Sequence, residues 1–172
     1  MKRLILSILL IVNASAFAGE KTGQNNSDMP TKAVEALAKG TEYVLYSLDP
    51  SPLTLNPGPP PKPEESLDGF KIMGRLPLSN SASRAAAVEA VTKLIQDTDY
   101  HFLQSCFFPR HALRVLAGGK TFDFVICYQC GGMELFENGV KVVRLGIPST
   151  PEPLNKLLSA AGIPMATPYP DK

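Results

Sequence analysis

The chain has 172 residues, with 17 lysines and arginines against 16 aspartates and glutamates, two histidines and three cysteines. That length suits one domain with a real core, and it removes the need for a dense disulfide framework. A formal charge of +1 leaves no basic surplus for holding nucleic acid or an anionic bilayer.

Residues 1–18 read as an export signal. Lys2 and Arg3 start it, Leu4 to Val12 is apolar but for Ser7, and Ala16-Phe17-Ala18 fits a cleavage site. The apolar run is too short to span a bilayer, and no later segment is apolar enough, so no membrane span is expected in the mature chain. Cleavage takes the basic count from 17 to 15 against 16 acids, a net charge near −1. The expected location is the periplasm or the exterior. Residues 19–40 form a flexible leader and a short helix. The helix spans Pro30 to Lys39, with Ala33, Val34, Leu37 and Ala38 at helical spacing and Gly40 as the stop. Asn25-Asn26-Ser27 fits a glycosylation acceptor, which matters only in eukaryotic export.

A single domain is expected over 41–163, with a tail at 164–172. Tyr43 to Leu48 is rich in strand formers and ends at Asp49-Pro50. Prolines dominate the loop 49–65, which is expected to be extended and exposed. It reads as a stiff connector in preference to a docking motif for a polyproline-binding partner. Phe70 to Leu76 alternates as a strand, closed by Pro77. Ser79, Asn80 or Ser81 caps a long helix over 82–98, with Val88, Val91, Leu94 and Ile95 as its apolar stripe. Three hairpin turns follow, at Gly118-Gly119, Gly131-Gly132 and Asn138-Gly139. A closing helix covers Pro153 to Ala161. The expected class is α+β: an antiparallel meander of hairpins with one long helix and one short C-terminal helix packed on it.

All three cysteines fall between 106 and 130, beside His111, Arg110 and Arg114. Cys127 and Cys130 in a continuous strand would be about 10 Å apart, beyond disulfide reach. Either the strand ends at Cys127 and Cys130 sits in a turn, for which Gly131-Gly132 is suited, or these two do not pair. Reactive C-x-x-C pairs sit at a helix N-terminus, and here glycines and another strand follow, which argues against thiol-redox catalysis. A zinc site would use Cys106, His111, Cys127 and Cys130, but it lacks a second C-x-x-C. The favoured reading is a disulfide from Cys106 to Cys127 or Cys130, contributing about 3 kcal/mol. Arg110 and Arg114 share a strand face and suit a carboxylate, although pairing with Asp123 or Glu134 across the hairpins competes. His111 faces with Leu113 and Val115, as a half-buried structural histidine does. No catalytic residue is assigned.

Four segments together carry a resemblance. They are Tyr46-Ser47-Leu48-Asp49-Pro50, the Gly69-Phe70 to Met73-Gly74 strand, Cys106-x-x-Pro109-Arg110-His111-x-Leu113-Arg114, and Ile126-Cys127-Tyr128-Gln129-Cys130. In that order they resemble a group of small uncharacterised bacterial exported proteins, over most of residues 42–145. Ala112 stands where that group has glycine, and Met73 where it has leucine. The resemblance implies a bacterial source and one domain, and no reaction. The functional expectation is an exported, non-enzymatic domain that binds a protein or a small anionic ligand. The alternative is a zinc or thiol-redox protein built on Cys106, His111, Cys127 and Cys130.

Overall fold

The computed structural model describes residues 29–55, 62–148 and 150–167. The export signal, the glycosylation pattern and residues 56–61 of the proline-rich loop lie outside the described residues. Among those described, no helix is long and apolar enough to cross a membrane.

The protein is α+β. Seven strands form one antiparallel, curled sheet: β1 (Glu42–Pro52), β2 (Ser66–Leu67), β3 (Phe70–Pro77), β4 (His111–Ala117), β5 (Lys120–Cys127), β6 (Gly132–Glu137) and β7 (Val140–Gly146). Their order across the sheet is β2-β3-β1-β4-β5-β6-β7. The turns Asp68-Gly69, Gly118-Gly119 and Asn138-Gly139 all place both residues at positive φ. That conformation matches the right-handed twist of the flanking strands and makes each a tight hairpin.

Three helices, not two, pack on one face: α1 (Met29–Lys39), α2 (Ser81–Gln96) and α3 (Glu152–Ala160). α2 starts where Asn80 Oδ1 accepts from the amides of Ala82 and Ser83, and it buries Ala87, Val91, Leu94 and Ile95. The sequence reading grouped the first helix with a flexible leader. Instead Met29, Ala33, Ala36 and Leu37 of α1 are buried in the main core with Leu113, Val115 and Phe122 of the sheet. The Tyr43 hydroxyl donates to the Leu37 carbonyl at 2.8 Å, satisfying a backbone acceptor in the helix's last turn. A short amphipathic helix is marginal alone in water, so this packing is what holds it.

β1 runs further than expected, through Pro50 to Pro52. Its ladder with β4 ends at Ser47↔His111, so the prolines fall where only β3 borders the strand. Proline cannot donate to a ladder and is tolerated at such an edge. Two irregularities, after Ser47 and after Leu48, bend this part of the β1–β3 pair. The bend curls the β2–β3 hairpin over the face away from the helices. Leu67 and Phe70 there join Tyr46, Leu48, Ala112, Val125 and Phe136 in a second buried cluster.

Leu37 is 1% exposed, so Leu37→Ala is expected to cost about 2–5 kcal/mol, measured from the urea midpoint at constant m-value. A loss below about 0.5 kcal/mol would mean that α1 does not dock on this core.

Candidate functional site

Two clusters of reactive or ionisable groups stand out, and they differ in character. The first is the cysteine corner. β5 stops at Cys127, and residues 128–131 form a turn with Gly131 at positive φ, so Cys130 sits in a turn. The Cys106 and Cys130 sulfurs are 2.6 Å apart, and all three cysteines stand as thiols. Cys127 Sγ accepts from the amides of Phe108 at 3.3 Å and Cys130 at 3.1 Å.

The segment leading to Cys106 is strapped across the sheet end. Asp99 N donates to Gly146 O at 3.1 Å, and Gln104 N donates to Cys130 O at 3.1 Å. A side chain at Gly131 would strike the Phe102 carbonyl, and one at Gly146 would strike that of Asp99, so glycine is what permits the approach. Arg144 Nη2 donates to the carbonyls of Gln104 (3.0 Å) and Cys106 (2.6 Å), and its guanidinium lies 4.9 Å from the Phe107 ring centre. On the outer side of this strap, Tyr100 is 61% and Phe102 48% exposed.

Burial pushes both the Cys106 and Cys130 thiols up from their ordinary range, with their mutual contact adding to the rise at Cys106. The turn leads into β6, not into a helix. No helix dipole therefore favours a thiolate here.

His111 does not join the cysteines. It shares a face with Leu113 and Val115, toward the helices, while Cys127 lies on the other face of β5 from Ile126. The ring is buried, with Nε2 2.8 Å from Asn155 Oδ1 on α3 and Tyr128 edge-on at 5.5 Å. Burial pulls its pKa down to about 4, the Arg110 charge adds to this, and the Asn155 bond opposes it. With Nε2–H donating to Asn155, Nδ1 is left buried without a hydrogen-bond partner. Among the described residues, no group of three or more His, Cys, Asp or Glu side chains is arranged to hold a metal ion.

The two arginines are also apart in role. Arg110 Nη1 donates to Gln129 Oε1 and Nε to the Thr167 carbonyl, both at 3.2 Å. Arg114 grips Asp123, its directly opposite neighbour, with Nε–Oδ1 at 2.6 Å and Nη2–Oδ2 at 2.7 Å.

That grip belongs to the second cluster, on the face away from the helices. Asp123 is fully buried there. A bidentate guanidinium is the partner that a buried carboxylate needs, and it raises the arginine's own pKa. The Tyr46 ring centre is 5.9 Å from the Arg75 guanidinium and 6.0 Å from that of Arg114. Glu134, nearly buried, has Lys141 at 3.3 Å and Arg144 at 3.9 Å.

Asp68, at the tip of the β2–β3 hairpin, completes this cluster, and the sequence reading missed it. Burial first, and then the negative charge of Asp123, push its carboxyl up to about 7, against the pull of Arg114. The available signal was Asp68-Gly69, a hairpin dipeptide followed by a strand. Its two-residue partner strand has no period to read.

His111 makes stability depend on pH. Its folded pKa is depressed, so between about pH 6.5 and 4 the unfolded chain binds a proton that the folded chain does not. Stability at this site is complete above pH 6.5 and falls on acidification by up to about 1.4 kcal/mol per unit. Asp68 acts with the opposite sign over the same window, so the measurement is a difference. His111→Gln is expected to lose less stability than the wild type between about pH 6.5 and 4.5 in parallel urea titrations. Identical slopes would show that folding does not shift the protonation of His111.

Compared with protein-family models, with curated proteins and with solved structures, the chain shows no match to any of them.

Proposed function

We propose that the chain is an exported, non-enzymatic binding domain of bacterial origin, with Cys106 and Cys130 joined as a structural disulfide and Cys127 left as a thiol. In an oxidising compartment the two thiols would lose two electrons and two protons to a disulfide donor, forming the S–S bond. The 2.6 Å approach of their sulfurs is the observation that carries the pairing. Cys127 is the leftover thiol because its sulfur accepts two backbone N–H bonds at the strand end. The bond would close a loop over a sequence separation of 24 and contribute about 3 kcal/mol.

The brace favours binding because of what it holds. It fixes the strap that presents Tyr100 and Phe102 to solvent, and large exposed aromatics on a rigid backbone suit a protein partner. A small anion is the weaker choice, since the best guanidinium for it, Arg114, is already taken by Asp123. Zinc on the three cysteines with His111 is the rival reading. It is disfavoured by His111 facing the helices.

Alkylation of the purified oxidised protein in denaturant, followed by intact mass and peptide mapping, is expected to label Cys127 alone, and all three cysteines after reduction. Three labels before reduction, or stoichiometric zinc in protein prepared without chelator, would overturn the pairing. For binding, Tyr100→Ser with Phe102→Ser is expected to keep the wild-type unfolding midpoint. It should abolish cross-linking to the envelope protein that the wild type captures. Equal capture by both proteins would contradict the aromatic turn as the binding surface.

A further inference from the structure

We propose that the β2–β3 hairpin is a proton-operated cover over the open face of the sheet, docked when Asp68 and Asp123 share a proton and released when both are ionised. The inference turns on Asp68 and Asp123, which lie apart from the three cysteines and from Tyr100 and Phe102.

The hairpin is built to move. β2 has two residues, pairs only with β3, and lies at the sheet edge. The two irregularities in the β1–β3 ladder lie at the bend that carries it over the face. Its grip on that face is short. Leu67 and Phe70 enter the second apolar cluster, Phe70 meets the Phe107 ring edge-on at 6.0 Å, and Asp68 supplies the polar contact.

The charges around Asp68 are unbalanced. Asp68 feels the charges of Asp123 on β5, Arg114 on β4 and Glu134 on β6. Arg114 spends both its Nε and Nη2 bonds on Asp123, and Tyr46 of β1 flanks the same guanidinium. Glu134 is answered by Lys141 and Arg144 instead. Among the described residues Asp68 Oδ2 is buried with no other partner, and the group that its carboxyl meets is the Asp123 carboxyl. Two ionised carboxylates only accept, so they cannot bond each other, and their charges repel. One proton turns that repulsion into a donor–acceptor pair.

The direction of the effect follows. The docked state holds the proton up to about pH 7, while a released Asp68 has an ordinary carboxyl near 3.8. Docking is strongest in acid, weakens as pH rises between those values, and is constant above them. Release uncovers Val125 and Phe136 beside the Arg114–Asp123 pair.

Amide hydrogen exchange on the intact protein tests this, after correction for intrinsic rates. Between about pH 5.5 and 8, protection at residues 67–71 is expected to fall roughly tenfold, while the β4–β5 hairpin stays unchanged. Asp68→Asn is neutral at every pH and tolerates the left-handed turn, so it should hold the acid-level protection at both. Asp123→Asn frees Arg114 for an ionised Asp68 and should abolish or invert the drop. Unchanged wild-type protection across this range, or a tenfold drop that persists in either variant, would overturn the proposal.

Discussion

A carboxylate with no exposure sits near the middle of the sheet, and one guanidinium makes it tolerable. Asp123 and Arg114 face each other directly across β4 and β5, joined by two short bonds. Removing either partner would leave a buried charge uncompensated, which costs several kcal/mol. The pair also guards register. A slip of either strand by one residue would turn its charge into the apolar core under the helices and leave the other unpaired. The rest of the open face is arranged around this fact: Tyr46 against the guanidinium, Glu134 with its own cations, and Asp68 as the carboxyl left over.

The two faces of the sheet therefore do different things. The helix face is an apolar core that tolerates one polar ring, His111, by keeping it neutral and bonded to Asn155. The open face is smaller, mixes apolar and charged groups, and is closed by a two-stranded tip instead of a helix. The cysteine corner belongs to neither. It holds the strap after α2 against the ends of β5 to β7 through Arg144, two close-approach glycines and the Cys106–Cys130 contact. Burial raises both thiols, which disfavours a reactive thiolate at this corner.

Local signals made much of this legible. Gly118-Gly119 and Asn138-Gly139 each marked a hairpin, and Asn80 was among the caps named for the long helix. The spacing of Cys127 and Cys130 left open a strand end between them, and β5 ends at Cys127. The pairing of Arg114 with Asp123 was one of two options open from strand alternation. What stayed hidden depends on long-range geometry. α1 has the right periodicity, but nothing local says that Leu37 packs under Tyr43. The curl arises from bulges in β1, which leave no trace in its composition. Asp68 reaches Asp123 only because of that curl, and Asn155 meets His111 from 44 residues away. Arg110, His111 and Arg114 are neighbours in sequence, yet each is turned to a different partner.

The most direct test of this account is a carboxyl-carbon NMR titration of Asp68 in the folded protein. Burial, and then the charge of Asp123, should leave Asp68 titrating near pH 7, with the midpoint falling when Asp123 is replaced by asparagine. A wild-type midpoint near 4 would show that Asp68 stays ionised beside Asp123, and the arrangement of the open face described here would be wrong.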